Sequence, residues 1–250
     1  MRLICGVAVV AGLLLSGCSS SKELTSTWQT IPDAVESMGV VGGEPSVQVK
    51  GNRGTLSFRN DQDRLYIQFV TSDRPTQLQM IGLGFTVWLE GRDGKPWGIH
   101  APVGAHEIDK HITGREGLAD LRPILEEQSR DIQIYPSPSE EPIHLTRVEL
   151  KGLKIRMEIR EPSIVYQLVV PLKKTPAFPH ALEVDSSGVC ILRFETPEFI
   201  GNIQGGGSTR PDPGNVRGRG GASRPADPSA NVSRQEPLMA KVKLTLARSN

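Results

Sequence analysis

Residues 153–160 alternate without a break. Leu153, Ile155, Met157 and Ile159 are apolar, while Lys154, Arg156, Glu158 and Arg160 are charged. A period of two sends successive side chains to opposite faces of an extended backbone. The stretch is therefore stable as a strand with one face buried and the other in water. A helix would scatter the same charges around its whole circumference. The rest of the chain must supply the neighbouring strands and a second layer.

It does so repeatedly. In 65–71, Leu65, Ile67 and Phe69 point to one face, with Tyr66 and Gln68 on the other. Residues 55–59 alternate between Gly54 and the turn composition Asn60-Asp61-Gln62-Asp63. Residues 84–90 place Phe85 and Val87 opposite Thr86 and Trp88. Gly91-Arg92-Asp93-Gly94 then makes a hairpin loop, and the return strand begins at Trp97. Further strand patterns fall at 132–135, 164–172, 189–194 and 240–246. One helical pattern stands out in 117–131, from Leu118, Leu121 and Leu125, and Pro123 forces it to start late or kink. Residues 23–50 read as irregular with one or two short strands, and 101–115 as a polar loop. About nine strands and one short helix predict an all-β fold, an antiparallel sandwich of two sheets packed face to face. At 250 residues, one such domain is the expectation, with a core that needs neither disulfide nor metal.

Residues 205–237 have a different composition, rich in Gly, Pro, Ser and Arg. Such a segment buries too little apolar area to offset its ordering entropy, so it is expected to be a disordered loop. The domain then comprises 25–204 plus 238–250, and the cost of closing the loop grows only logarithmically with its length.

The first seventeen residues have the anatomy of a signal peptide: Arg2, an apolar run from Leu3 to Leu15, then small residues. Leu15-Ser16-Gly17-Cys18 resembles a bacterial lipobox. That resemblance implies diacylglycerol on the Cys18 thiol, cleavage before Cys18, and a membrane partner through the lipid. Residues 18–24 would be the lipidated cysteine and its tether. Ser19 stands where an aspartate would oppose sorting, which implies the outer membrane of the bacterial envelope.

The body holds only Cys190, in the apolar run 189–194, and is read as a buried thiol. Net charge is +1 from 29 basic and 28 acidic residues, and loss of Arg2 with the leader leaves the signs equal. No global field draws in nucleic acid, so none is expected as a partner. The Arg-Gly segment, with Arg217, Arg219 and Arg224, is read as a spacer. His100, His106 and His111, with Glu107 and Asp109, match no metal-ligand spacing. Haem would need Met80 or one of these histidines as an axial ligand, and no Cys-x-x-Cys-His run is present. Neither metal nor cofactor is expected. Glu126-Glu127, Glu140-Glu141, Ser163 and Ser187 lack a catalytic context, so no enzyme is expected.

The order of these pieces resembles a known family. Asp63-Arg64-Leu65-Tyr66-Ile67-Gln68-Phe69, Phe85-Thr86-Val87-Trp88-Leu89-Glu90 and Tyr166-Gln167-Leu168-Val169-Val170-Pro171-Leu172 are similar to strands of family-nine carbohydrate-binding modules and DOMON-like domains. Trp28 matches an early tryptophan of those modules. The resemblance covers roughly residues 25–247, although aromatic content is only 5%. It implies a non-enzymatic module binding a carbohydrate or another small envelope ligand. Trp88 and Trp97, flanking the hairpin, are the candidate ligand-binding residues, since indole faces stack on sugar rings. A structural or assembly lipoprotein contacting other envelope proteins is the alternative, and a haem or redox module ranks behind both.

Overall fold

The computed structural model describes residues 21–30, 46–102, 117–197, 199–201 and 233–249, with backbone alone for 199–201 and 233–235. The leader, Cys18, His106, Glu107, Asp109, His111 and most of the Gly/Arg-rich segment lie outside the described residues.

The fold is an all-β sandwich. One sheet has seven strands in the order β1 (Lys22–Thr25), β15 (Met239–Thr245), β12 (Val189–Glu195), β6 (Phe85–Glu90), β7 (Pro96–Ala101), β8 (Asp131–Tyr135) and β9 (Ile143–Thr146). The facing sheet runs β10 (Lys154–Arg160), β11 (Ser163–Pro171), β5 (Arg64–Thr71), β4 (Thr55–Asn60) and β2 (Thr27–Trp28), with β3 (Ser46–Gln48) also on β4. A small pair joins β13 (Phe199–Gly201) to β14 (Ser233–Gln235).

The nine strands of five or more residues are those the alternation predicts. The other six described strands span two to four residues each, too few for a period to register. Two pairs, β1 with β15 and β2 with β4, are parallel, so the sheets are mixed rather than purely antiparallel. β1 begins at Lys22 and β14 at Ser233, so strand reaches into both the expected tether and the expected loop.

The core follows from the alternation. Leu56, Phe58, Leu65, Ile67 and Phe69 of one sheet meet Phe85, Val87, Leu192, Phe194 and Val242 of the other. Phe85 sits at its centre, stacked on Phe69 at 5.2 Å and edge-on to Tyr166 at 5.0 Å. Such ring pairs add to the area term, which is about 25 cal/mol per Å² of apolar surface buried.

Two helices close the sandwich. α1 (Arg74–Leu83) carries the chain from β5 to β6. Its start is set by Asp73, whose carboxylate accepts from Thr76 N at 3.0 Å, and by Pro75 in the first turn. It stops at Gly84, where φ is +83° and a Cβ would collide with the His100 ring. α2 (Arg122–Gln128) follows a 3-10 turn at Ala119–Leu121, the late start that Pro123 dictates. Leu121 and Leu125 pack with Leu78 and Ile81 of α1 and with Ile159 and Ile164 of the sheet.

The segment 22–28 serves both sheets, as β1 in one and β2 in the other. The crossing residue, Ser26, is buried, and its Oγ donates to Asn60 Oδ1 at 2.5 Å. The sandwich therefore has two ends. At the near end lie Lys22, the 3-10 turn Lys50–Asn52 and Met239. At the far end lie Trp28, the β4–β5 turn and residues 247–249.

Candidate functional site

The structure separates the two tryptophans singled out by sequence. Trp88 pairs with Gly98, and its neighbour Leu89 pairs with Trp97. Directly opposed residues share a face, so Trp97 lies on the core side with Leu89, and Trp88 lies on the outer face. Trp88 is only 9% exposed. Its ring lies across Gly98, where an added Cβ would come within 2.8 Å of Cε3. The Arg193 guanidinium stands 5.7 Å from the ring centroid, and Nε1 donates to Glu195 Oε2 at 3.0 Å. Little of this indole is left for a ligand to stack on. Trp97 is half-buried at the far end, 6.2 Å from the His180 ring.

His100 is the described member of the histidine set. It is buried on the outer face, with Nδ1 2.8 Å from Thr86 Oγ1. Burial pushes its pKa down to about 4, so it is neutral at pH 7. Among the described residues, no three His, Cys, Asp or Glu side chains converge as a metal site. Cys190 is buried in the core, and burial pushes its thiol up to about 12.

Two concavities stand out among the described residues. One, of about 540 Å³, lies between α2 and β10. Arg122, Arg130, Arg147 and Arg156 line it together with Glu126 and Glu158, and no aromatic ring contributes. Glu158 already pairs with Arg156 and Arg160, and Arg147 Nε donates to Ser129 O.

The other is a cleft of about 490 Å³ at the far end, a volume within the usual range for small ligands. Two half-buried aromatic rings line it, Trp28 from the end of β2 and Phe178 from the segment after β11. Phe178 is held by reciprocal backbone bonds with Thr175, 2.9 and 3.2 Å, and its ring packs on Gly152, whose φ is +92°. Between the rings stand polar side chains of the β4–β5 turn and of Lys173 and Thr175. Asp61 shapes that turn: Oδ1 accepts from Asp63 N at 2.8 Å and Arg64 N at 2.7 Å, and Oδ2 accepts from Tyr66 Oη at 2.7 Å. Burial, then the Asp61 bond, holds the Tyr66 hydroxyl up at about 12. With its carboxylate engaged by three donors, Asp61 is a scaffold for the turn. The outward groups are Gln62 and the exposed pair Asp63–Lys173, 3.6 Å apart.

The turn itself was readable as Asn60-Asp61-Gln62-Asp63. Its meeting with Trp28 and Phe178 was not, because the three segments lie far apart in sequence: the crossing at Ser26 brings Trp28 to the turn through β2 and β4, and the pairing of β11 with β5 brings the segment of Phe178. The segment that carries Phe178 also carries His180, whose ring meets Trp97, but Trp97 itself does not line the cleft.

No family model matches the chain, and no curated protein does. Solved structures similar to it include two of a family-nine carbohydrate-binding module from Caldicellulosiruptor kristjanssonii, one in complex with glucose and one with cellotriose. Each is 7% identical, aligns over 92% of this chain and superposes with a TM-score of 0.37. The alignments take in 98% and 96% of those chains. Likeness at this level assigns no family, ligand or site.

Proposed function

We propose that this chain is a lipid-anchored, non-enzymatic module of the bacterial cell envelope, held at the outer membrane through Cys18, that binds a carbohydrate in the Trp28 cleft. One observation carries the binding reading: two aromatic rings, Trp28 and Phe178, face a cleft of ligand size whose remaining lining is hydrogen-bonding side chains. Aromatic faces take the apolar face of a sugar ring, and polar groups around them take its hydroxyls. The non-catalytic reading draws on Asp61, the buried carboxylate of the cleft, whose oxygens hold the turn. The anchoring reading draws on the leader and on Leu15-Ser16-Gly17-Cys18.

The test is thermal denaturation of the chain against a panel of soluble glycans. A ligand at a hundred times its Kd stabilises the folded state by about 2.7 kcal/mol. The expected result is a raised midpoint with one glycan class, lost in Trp28→Ala and kept in Trp88→Ala. No shift with any glycan, or a shift that survives Trp28→Ala, overturns the assignment.

A specific feature favours a second reading, an assembly lipoprotein that contacts other envelope proteins. β9 is an edge strand, Ile143 on it is 47% exposed, and Val148 just beyond it is 91% exposed. Unpaired edges with exposed apolar residues accept partner strands. A stoichiometric crosslink from position 143 to one envelope protein supports this reading, and its absence in intact membranes removes it.

A further inference from the structure

We infer that the sandwich stands on the bilayer by the end that carries Lys22, Lys50 and Met239, and that the Trp28 cleft opens away from the membrane. This rests on lipidation of Cys18, proposed above. The argument begins with reach. Cys18 precedes Lys22 by four positions, and Lys22 is already strand, paired with Val242. Four residues of chain span at most about 14 Å. An anchored Cys18 therefore keeps the start of β1 within that distance of the lipid.

Direction follows from the parallel pairing. β1 and β15 run the same way, so at the end of the sheet where Lys22 stands β15 runs back past it toward its own beginning. Met239 lies three positions before Val242, about 10 Å farther in that direction at strand rise. It projects toward the anchor beyond Lys22 itself. Its side chain is 65% exposed, and among the described large apolar side chains only Val148 is more exposed. An exposed apolar side chain at the start of β15, at the end where the lipid anchor would enter, suits a headgroup boundary better than open water.

The surroundings agree. Lys22 Nζ donates to Gln48 O at 2.7 Å, which places the exposed 3-10 turn Lys50–Asn52 at the same end. Arg53 NH1 donates to Glu236 O at 2.9 Å, tying that turn to the approach to β15. Lys22 and Lys50 thus offer two exposed cations at the same end as Met239, the chemistry that anionic headgroups attract. The cleft lies at the other end. Six residues of nearly continuous strand separate Lys22 from Trp28, about 20 Å. β4 and β5 run the same span, from Arg53 and Thr71 at the near end to Asp61 and Arg64 at the cleft.

The test uses the full chain, expressed with its leader and reconstituted in phosphatidylethanolamine–phosphatidylglycerol vesicles. Met239→Cys and Thr175→Cys, both at exposed positions, each carry an NBD probe, and a share of the lipid carries a headgroup nitroxide. The expected result is strong quenching at 239, at least threefold above that at 175. Equal quenching at the two positions, or stronger quenching at 175, overturns the orientation. Mass spectrometry and vesicle flotation test the anchor separately. A chain that lacks the diacylglycerol mass and fails to float refutes the anchoring reading and the orientation with it. A chain that floats with position 239 unquenched refutes the orientation alone.

Discussion

Asn60 and Ala247 exchange two hydrogen bonds. Ala247 N donates to Asn60 Oδ1, and Asn60 Nδ2 donates to Ala247 O, each at 3.0 Å. The side-chain amide of one sheet thus completes the backbone of the other, as a neighbouring strand would. Ser26 Oγ donates to the same Oδ1, where the chain crosses between the sheets. Asn60→Leu strands the carbonyl of Ala247 and leaves its amide only Ser26 Oγ, 3.0 Å away, in a part-buried site, at about 1–3 kcal/mol for such a group. The expected outcome is a lower urea midpoint with an unchanged slope. A midpoint equal to that of the parent chain would contradict this role.

Two buried tyrosines should respond in opposite ways to loss of their hydroxyls. Tyr66 Oη is bonded to Asp61, and its loss leaves a carboxylate oxygen short of a donor in a buried turn. Tyr66→Phe is expected to cost about 1–3 kcal/mol. Among the described residues Tyr166 Oη has no hydrogen-bond partner, although the residue is fully buried beside Phe85. Tyr166→Phe removes an unsatisfied polar atom from the core and is expected to be neutral or stabilising by up to about 1 kcal/mol. Paired denaturation curves decide the matter, and a larger loss for Tyr166→Phe would reverse it.

His100 makes stability depend on acid. Its native pKa, about 4, lies below the ordinary 6.5 because burial opposes the charge. Between those values the unfolded chain binds more protons than the folded one, so stability rises with pH through that window. Its contribution is complete above pH 6.5 and falls by about 3 kcal/mol as pH drops to 4. His100→Gln should flatten this part of the pH profile relative to the parent chain. An identical slope in both proteins would remove His100 as the cause.

Cys190 should be silent toward thiol reagents. Its thiolate is disfavoured by burial, and it faces the core rather than solvent. In the native protein, reaction with Ellman's reagent is expected to proceed only at the rate of global opening and to become immediate in denaturant. A fast native reaction would show that the strand pair β12–β15 opens locally.

The long strands were legible because burial has a period of two, and Leu65, Ile67 and Phe69 turn inward as their spacing requires. α1 was not. Thr76, Gln77 and Gln79 are buried along with Leu78, Met80 and Ile81, so no apolar stripe marks the helix. Its signals are the cap at Asp73 and the proline after it. The cleft was least legible, since neither Trp28 nor Phe178 stands near the β4–β5 turn in sequence. Trp88 and Trp97 flank a hairpin, yet the register Trp88 to Gly98 sends them to opposite faces.

The parallel pairing of β1 with β15 also sets how the domain bears load. If Cys18 is anchored and a ligand is held at the far end, as proposed, tension between them would run along the strand axis, across the β1–β15 ladder. Its hydrogen bonds lie across that axis and are sheared together, instead of being unzipped one at a time. Under the proposed anchoring the first strand would act as a mechanical clamp, with a pull on a ligand at the far end resisted by the whole ladder at once.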